Sequence, residues 1–226
     1  MDKTVAFYTL GCKLNFSETS TIGRQLSEVG YAKTDFEKKA DLYIINTCSV
    51  TENANRECRR IIRKAKKIAP DSKVIVTGCY AQLKPKEITT INGVDMVLGA
   101  NEKFNIPDLL KKKSEHKVFD SNLENLDYHS SFSLNDRSRS FLKIQDGCDY
   151  PCTYCTIPLA RGKSRCDTVD NILKNVNEIA ENGIKEIVLT GVNIGEFIDS
   201  TSKDNFYDLI VKLEDVEGIE RYRISS

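Results

Sequence analysis

The sequence predicts an α/β protein in two parts, a parallel-sheet domain followed by the beginning of a (β/α) barrel. Short apolar runs alternate with longer amphipathic helical patterns along most of the 226 residues, which is the order of βαβ units. The runs are apolar throughout, as in parallel strands covered on both faces. A stretch rich in Ser, Asn and Asp divides the two parts. We therefore expect a flavodoxin- or Rossmann-like domain over residues 1–113, a linker over 114–138 and a barrel segment over 139–226.

Four strands are predicted in the first part, and three of them end at or just before a cysteine. The predicted strands cover residues 5–10, 41–47, 73–77 and 94–98. Cys12, Cys48 and Cys79 follow the first three. The carboxyl ends of parallel strands lie at one edge of a sheet, so we expect these cysteines on the same side of the domain.

Two helices are predicted between these strands. Asn15 with Glu18, and Ser49 with Glu52, have the spacing of capping boxes near the two helix starts. Cys58 falls on the apolar stripe of the second helix, which extends to about residue 69, and is expected in the core. The apolar stripe of the first helix is formed by Ile22, Leu26 and Val29.

The second part begins with a strand over residues 141–145 that leads into Gly147 and Cys148. A helix over 167–182, a strand over 186–190 and a helix over 205–213 follow, with the apolar spacing that each element requires. Another strand begins at residue 221, and the sequence ends within it. We therefore expect an incomplete barrel.

Composition is ordinary for a globular protein, with 40% hydrophobic and 29% charged residues and a formal net charge of zero. Total charge therefore gives no indication of a nucleic-acid partner. We find neither a signal-peptide pattern nor an apolar run near the ~18 residues of a membrane span. We expect a cytoplasmic protein with no membrane partner. Eight cysteines in a reducing compartment indicate metal or redox chemistry rather than disulfides.

Cys148, Cys152 and Cys155 form a C-x3-C-x2-C triple directly after a predicted strand. Cysteine thiolates are the usual ligands of iron–sulfur clusters. Three ligands leave one iron of a [4Fe–4S] cluster open, and that iron can bind S-adenosylmethionine (SAM). The alternative is a structural zinc site with Cys166 as fourth ligand, although such sites usually contain paired C-x2-4-C elements.

Cys12, Cys48 and Cys79 form a second set that is widely spaced in the sequence. Because each is expected at the carboxyl end of a parallel strand, the three thiols can converge on a second cluster. The alternative is that they are three small buried residues, since free cysteine is often buried.

The residues around these cysteines resemble a known family. Residues 8–15 (YTLGCKLN), 46–51 (NTCSVT) and 77–79 (TGC) resemble the N-terminal domain of radical SAM methylthiotransferases. Residues 147–158 (GCDYPCTYCTIP) and 160–162 (ARG) resemble the start of their partial (β/α) barrel. Within the family, the LGCKLN motif is most similar to the tRNA enzymes that act on threonylcarbamoyladenosine.

The resemblance implies two [4Fe–4S] clusters and SAM as cofactors. Cys148, Cys152 and Cys155 would hold the cluster that generates a 5′-deoxyadenosyl radical, and Cys12, Cys48 and Cys79 the cluster that handles sulfur. The implied reaction adds a methylthio group to C2 of N6-threonylcarbamoyladenosine at position 37 of tRNA. Alternative substrates are isopentenyladenosine at position 37 and an aspartate of ribosomal protein S12. Implied partners are tRNA, a reductant protein such as a flavodoxin or ferredoxin, and a sulfur donor.

Further site residues are predicted near the second cysteine triple. Tyr154 is a candidate neighbour of the SAM adenine, and Gly191 and Asn193 follow the next strand at the cofactor edge of the barrel. Arg161 and Arg165 are candidates for contact with RNA phosphates, although basic residues more often form a solvated face. The basic run over residues 59–67 allows the same two interpretations. No catalytic residue is assigned.

Family members usually add the rest of the barrel and an RNA-binding TRAM domain beyond the segment that these 226 residues match. We therefore expect that this chain alone can bind the cluster of Cys148, Cys152 and Cys155 without completing the reaction. A non-enzymatic alternative is a zinc-stabilised RNA-binding protein.

Overall fold

The computed structural model describes residues 3–48, 52–112, 118–119 and 122–225. The chain forms two compact units, Met1–Leu126 and Asp127–Ser226, here called unit 1 and unit 2. The predicted α/β class is confirmed. The segment predicted as a linker supplies a strand to each unit, because residues 118–119 join the sheet of unit 1 and residues 131–132 join that of unit 2.

Unit 1 is a six-stranded parallel sheet with helices on both faces. Its elements are β1 (Lys3–Thr9), α1 (Lys13–Glu28), β2 (Tyr31–Thr34), β3 (Leu42–Thr47), α2 (Glu52–Ile68), β4 (Lys73–Gly78), α3 (Cys79–Leu83), α4 (Pro85–Thr89), β5 (Met96–Leu98), α5 (Ile106–Lys111) and β6 (Val118–Phe119). Short 3-10 helices lie at Glu102–Asn105 and Leu123–Asn125. The four predicted strands are confirmed, whereas the edge strands β2 and β6 were not predicted.

The strand order is β2-β1-β3-β4-β5-β6. The chain therefore leaves β1 towards one edge and returns to build the rest of the sheet on the other side of β1. In open α/β sheets, ligands bind outside the carboxyl ends of the strands where the order reverses, here between β1 and β3. One core contains Ile22, Leu26 and Ile106 from α1 and α5, and the other contains Ile62 and Ile88 from α2 and α4. The two helix pairs thus cover opposite faces.

Two local predictions for α1 are wrong. The helix begins at Lys13 with Cys12 as its N-cap, so Asn15 and Glu18 lie inside the helix and are buried. They cannot form the predicted capping box, and their side chains bind elsewhere in the unit. Val29 is the C-cap and is exposed rather than part of the apolar stripe.

The second predicted capping box cannot be compared, because Ser49 lies outside the described residues. The predicted core position of Cys58 is confirmed, since this side chain is fully buried.

Unit 2 is built on a four-stranded sheet of order β12-β11-β8-β7. The strands β8, β11 and β12 are parallel and β7 is antiparallel. The elements are β7 (Ser131–Phe132), β8 (Ser140–Lys143), β9 (Gln145–Asp146), α6 (Ile157–Arg161), β10 (Arg165–Cys166), α7 (Val169–Glu181), β11 (Glu186–Thr190), a 3-10 helix (Ile194–Glu196), α8 (Phe206–Glu214) and β12 (Arg221–Ser225). The helices predicted over 167–182 and 205–213 and the strand over 186–190 are confirmed to within two residues.

The strand predicted over residues 141–145 is interrupted at Ile144. Its amide donates to the Thr190 carbonyl at the end of β11, and its carbonyl accepts from the Asp167 amide. The chain therefore leaves the main sheet at this residue, and Gln145–Asp146 pairs with β10 as a separate antiparallel ribbon.

None of the helices in the described part of the chain combines the length and hydropathy that a membrane span requires.

Candidate functional site

Three cysteines of unit 1 follow three neighbouring parallel strands. Cys12 comes after β1 as the N-cap of α1, Cys48 directly follows β3, and Cys79 is the first residue of α3 after β4. Cys12 is exposed, and Cys48 and Cys79 are half-buried. The structure thus places all three at the carboxyl edge of the sheet. Cys12 and Cys48 flank the point between β1 and β3 where the strand order reverses, and Cys79 lies one strand further along.

Glycines allow the three cysteine-bearing loops to approach closely. Gly11 has a φ of +99°, and a Cβ placed there would lie 2.9 Å from Cys48 Sγ. Gly78 has a φ of +94°, and a Cβ there would lie 2.4 Å from the Thr47 carbonyl oxygen. A side chain at either position would separate the loops, so glycine is required both for the backbone angle and for the space.

A buried amide pair beneath these loops holds them together. Asn15 Nδ2 donates to the Leu10 carbonyl (2.8 Å) and to the Thr47 carbonyl (2.9 Å), linking the end of β1 with the end of β3. Asn46 Nδ2 donates to the Asn15 carbonyl at 3.0 Å. The Asn46 Oδ1 atom is buried and has no hydrogen-bond partner among the described residues. We did not predict these roles, although polar residues at the end of an apolar strand were a usable signal.

Cys148, Cys152 and Cys155 lie in the loop between β9 and α6. The Cys155 amide donates to the Cys152 carbonyl at 3.0 Å, which closes a turn within the triple. The Cys148 amide donates to the Gly162 carbonyl at 3.1 Å, and Asp149 Oδ1 accepts from the Ser164 amide at 3.0 Å. The start of the loop is therefore attached to the segment that follows α6.

Gln145 connects this cysteine loop to the loop after β11. Its Nε2 donates to the Gly147 carbonyl at 2.8 Å. Its Oε1 accepts from the Val192 amide (2.8 Å) and the Asn193 amide (2.9 Å). A Cβ on Gly191 would lie 2.9 Å from the same Oε1. The predicted positions Gly191 and Asn193 thus lie against the buried Gln145 amide, which also contacts the residue before Cys148. Gln145 itself was not predicted as a site residue.

A buried charge cluster lies beside the cysteine loop. Asp146 is 3% exposed, and its carboxylate contacts Arg161 Nη1 at 2.8 Å, Arg165 Nη2 at 3.2 Å and Lys143 Nζ at 3.5 Å. One carboxylate therefore contacts three cations, and the Asp167 carboxylate also interacts with Lys143, so this is a buried network of charges of both signs. Arg161 is only 4% exposed, and this placement does not suit the predicted contact with an RNA phosphate. Arg165 is more accessible.

The remaining predicted residues lie apart from this network. Tyr154 is 90% exposed, so it does not pack into the core of unit 2. Cys166 is half-buried, its thiol donates to the Glu196 carbonyl at 3.8 Å, and burial raises its pKa. Burial raises the pKa of Cys58 to about 12, consistent with an inert core thiol. Across residues 3–48, 52–112, 118–119 and 122–225, no three His, Cys, Asp or Glu side chains form a group that could hold a metal ion.

Each of the two units matches a different protein family. The family described as Uncharacterized protein family UPF0004 matches residues 4–99, and the Radical SAM superfamily matches residues 142–225. A threonylcarbamoyladenosine tRNA methylthiotransferase MtaB from Bacillus subtilis is 40% identical over 99% of this chain and 51% of its own length. The protein of the same name from Aquifex aeolicus is 38% identical over 98% of this chain and 55% of its own length. Over nearly its whole length the chain is similar to the radical SAM methylthiotransferase family.

Members of this family with another name are also similar. A tRNA-2-methylthio-N(6)-dimethylallyladenosine synthase from Thermodesulfovibrio yellowstonii is 32% identical over 98% of this chain and 52% of its own length. The chain therefore spans about half the length of the curated family members that it matches.

Among solved structures, the radical SAM methyltransferase TsrM from Kitasatospora setae, with cobalamin and a [4Fe–4S] cluster bound, has a TM-score of 0.61. It is 12% identical over 94% of this chain and 51% of the TsrM chain. At this identity the likeness concerns the fold.

Proposed function

We propose that this chain is the cluster-binding half of an enzyme that adds a methylthio group to C2 of N6-threonylcarbamoyladenosine at position 37 of tRNA. The proposal is carried by one observation. The three cysteine loops of unit 1 lie at the edge of the sheet where ligands bind, in a chain whose unit 2 has its own cysteine triple on one loop. One triple would suffice to cleave SAM, and a second three-thiol site fits the insertion of sulfur.

The residues of unit 1 fit a cluster. Cys12, Cys48 and Cys79 supply three thiol ligands, which suits iron and sulfide. Gly11 and Gly78 provide a cradle that a Cβ would fill. The Asn15 amide holds the loops after β1 and β3 together, and the three thiols would have to draw closer than they are in the structure to hold the cluster. A cluster bound to these cysteines would supply or carry the sulfur that is inserted.

The residues of unit 2 fit a second cluster on Cys148, Cys152 and Cys155. Such a cluster with SAM supplies the electron that splits the sulfonium of the cofactor. Gln145 would hold the cysteine loop in register with Gly191 and Asn193, which follow the neighbouring strand. The ion pair between Asp146 and Arg161 would hold β9 against α6, the two elements that flank the cysteine loop.

The proposal includes partners that the reaction requires. A protein reductant such as a flavodoxin or ferredoxin would deliver the electron, a sulfur donor would restore the inserted sulfur, and tRNA would be the substrate. Tyr154 is exposed and free to contact SAM or RNA, and Arg165 remains a candidate for a phosphate. The compartment is proposed to be the cytoplasm.

Iron and sulfide analysis after anaerobic reconstitution tests the two clusters. Replacing Cys12, Cys48 and Cys79 by alanine should remove half of the iron and half of the sulfide, and replacing Cys148, Cys152 and Cys155 should remove the other half. Cys58→Ala is the matched control and should retain full content, because Cys58 is a buried core residue. Stoichiometric zinc without sulfide would contradict the proposal and favour a zinc-stabilised RNA-binding protein.

Nucleoside mass spectrometry tests the substrate. In tRNA from a strain that lacks this gene, the methylthiolated form of threonylcarbamoyladenosine should disappear while the unmethylthiolated form accumulates. Persistence of the methylthiolated nucleoside would reject this substrate. Loss of methylthiolated isopentenyladenosine instead would support the second candidate, which the relative from Thermodesulfovibrio yellowstonii favours by its name. Loss of a modified aspartate in ribosomal protein S12 would support the third.

A further inference from the structure

A basic groove lies on the face of unit 1 that α2 and α4 cover. It has a volume of about 740 Å³. One wall carries four cations of α2, and the other is formed by Glu87 of α4 and the segment 90–92. The cations are Arg59, Arg63, Lys66 and Lys67. Because the whole chain has a formal net charge of zero, this concentration of one sign is local.

Two of the four cations are not neutralised within the described residues. Arg59 pairs with Glu87 at 3.1 Å and Lys66 pairs with Asp95 at 3.2 Å. Arg63 and Lys67 are exposed and form no ion pair in the part of the chain that the structure describes. They lie four residues apart on α2, on the same face of the helix, so two charges point to solvent from one row.

The groove has a fixed wall rather than a set of loose side chains. Gly93 has a φ of +96°, and a Cβ there would lie 2.5 Å from Lys66 Cγ. The Lys66 stem therefore packs directly on the backbone opposite α2. Its ammonium reaches the Ser72 carbonyl at 2.5 Å in addition to Asp95, which keeps this side chain in place.

One end of the groove is connected to the cysteine edge of unit 1 through Tyr80, whereas the other end lies near the amino ends of β4 and β5. Arg59 Nη1 donates to Tyr80 Oη at 3.1 Å, and Tyr80 directly follows Cys79. From Arg59 the basic row continues to Lys67, eight residues along α2, which is about 12 Å at the rise of an α-helix. A polyanion bound along this row would pass from the last turn of α2 towards the loop of Cys79.

We propose that this groove binds the sugar–phosphate backbone of an RNA and so guides the tRNA towards the cysteine edge of unit 1, an inference that rests on the proposed function. Arginine forks and lysine ammonium groups are the usual partners of phosphate oxygens. Among the described residues, none that lines the groove is aromatic, so bases have no stacking platform there. The contact is therefore to the backbone, and it positions the RNA without reading its sequence.

The test is a salt titration of RNA binding by the whole chain. The variant Arg63→Gln with Lys67→Gln removes the two unpaired charges and leaves both groove ion pairs intact. The control, Lys112→Gln with Lys174→Gln, removes two exposed lysines outside the groove; Lys112 follows α5, which packs on the opposite face of the sheet. The probe is a fluorescein-labelled transcript of an unmodified tRNA anticodon stem-loop, measured by anisotropy.

The groove variant should lower the slope of log K against log salt by about 1.4 to 1.8, since each lost phosphate contact removes ~0.7 to ~0.9. At ~0.1 M salt this corresponds to an affinity loss on the order of tenfold or more. The control variant should change neither quantity by more than a small fraction of this. Thermal melting of both variants should match that of the unmodified chain, because all four lysines and arginines are exposed.

Three outcomes would overturn the inference. If the two variants weaken binding equally, or if the unmodified chain does not bind the hairpin, the groove is not an RNA site. If polyglutamate binds with the same affinity and the same dependence on Arg63 and Lys67, the groove serves an acidic protein partner. The proposed function is judged separately by iron, sulfide and nucleoside analysis, so failure of the groove leaves that proposal standing.

Discussion

Replacing Gly147 by alanine should destabilise unit 2 more than the same change at a glycine of similar backbone angle. Gly147 directly precedes Cys148 and has a φ of +72°. A Cβ at this position would lie 2.0 Å from the Lys163 carbonyl oxygen and 2.7 Å from the Gly162 carbonyl oxygen. Both atoms belong to the backbone, so no side-chain rotation can relieve the contact. The Gly162 carbonyl is also the acceptor of the Cys148 amide.

Gly183 is the matched control. It lies in the same unit with a φ of +79°, and a Cβ there meets nothing within 4 Å. Gly183→Ala should therefore cost only the strain of a left-handed residue, about 1–2 kcal/mol. Gly147→Ala should cost the same strain and an overpacking penalty of about 1–3 kcal/mol. We expect a difference of roughly 1–3 kcal/mol between the two variants.

Urea denaturation followed by circular dichroism measures both free energies of unfolding, and iron analysis of the reconstituted chain gives a second readout. We expect Gly147→Ala to lose cluster iron from unit 2 as well, because the Cys148 loop must move away from residues 162–163. Gly183→Ala should retain its iron. Equal losses of stability and full iron retention in both variants would refute the view that Gly147 is required for the close packing of this loop.

Three further predictions follow from buried groups. Gln145→Leu should weaken the change that SAM produces in the electron paramagnetic resonance spectrum of the reduced cluster, while the iron content stays the same. The reason is that the cysteine loop and Asn193 lose the side chain that both contact. An unchanged spectral response to SAM would contradict this prediction. Burial raises the pKa of Cys58 from 9.0 to about 12, so its contribution to the free energy of unfolding is complete below pH 9 and is lost as the pH rises towards 12, by up to ~1.4 kcal/mol per pH unit. Urea denaturation between pH ~8.5 and ~9.5 should therefore show that the free energy of unfolding falls less steeply with pH in Cys58→Ala than in the unmodified chain. An identical pH dependence in the two proteins would count against this prediction. Lys103→Met should lower the free energy of unfolding by about 3–5 kcal/mol, because it leaves the fully buried Glu18 carboxylate without the ammonium 2.6 Å away. In urea denaturation, the double variant Lys103→Met with Glu18→Leu should be more stable than Lys103→Met alone. A less stable double variant would show that loss of the ion pair is not the cause.

The cysteines illustrate how far the sequence reached towards the site. Cys12, Cys48 and Cys79 are 36 and 31 residues apart, yet each follows a strand that could be recognised from local apolar runs. Parallel pairing of those strands then brings them to one edge of the sheet. Since strand type and direction follow from the alternation of strands with helices, this placement could be predicted without coordinates.

Arg161 shows where sequence reasoning ended. Its position beside a cysteine triple and two other basic residues suggested contact with RNA phosphates. In the fold it is buried against Asp146, fifteen residues away in the sequence. A basic residue near a functional loop has the same local appearance whether it faces solvent or a buried carboxylate, so only tertiary contacts distinguish the two.

The sequence by itself therefore determined the α/β class, the parallel strands and the cysteines at their carboxyl ends, because periodicity and strand-end position are local properties of the chain. Tertiary structure alone decided that Ile144 divides the predicted strand, that Gln145 joins two loops, and that Asn15 links β1 to β3 from within α1. It also decided which cations of α2 remain unpaired. Each of these features depends on which distant donors, acceptors and charges meet after folding, and sequence spacing does not specify those meetings.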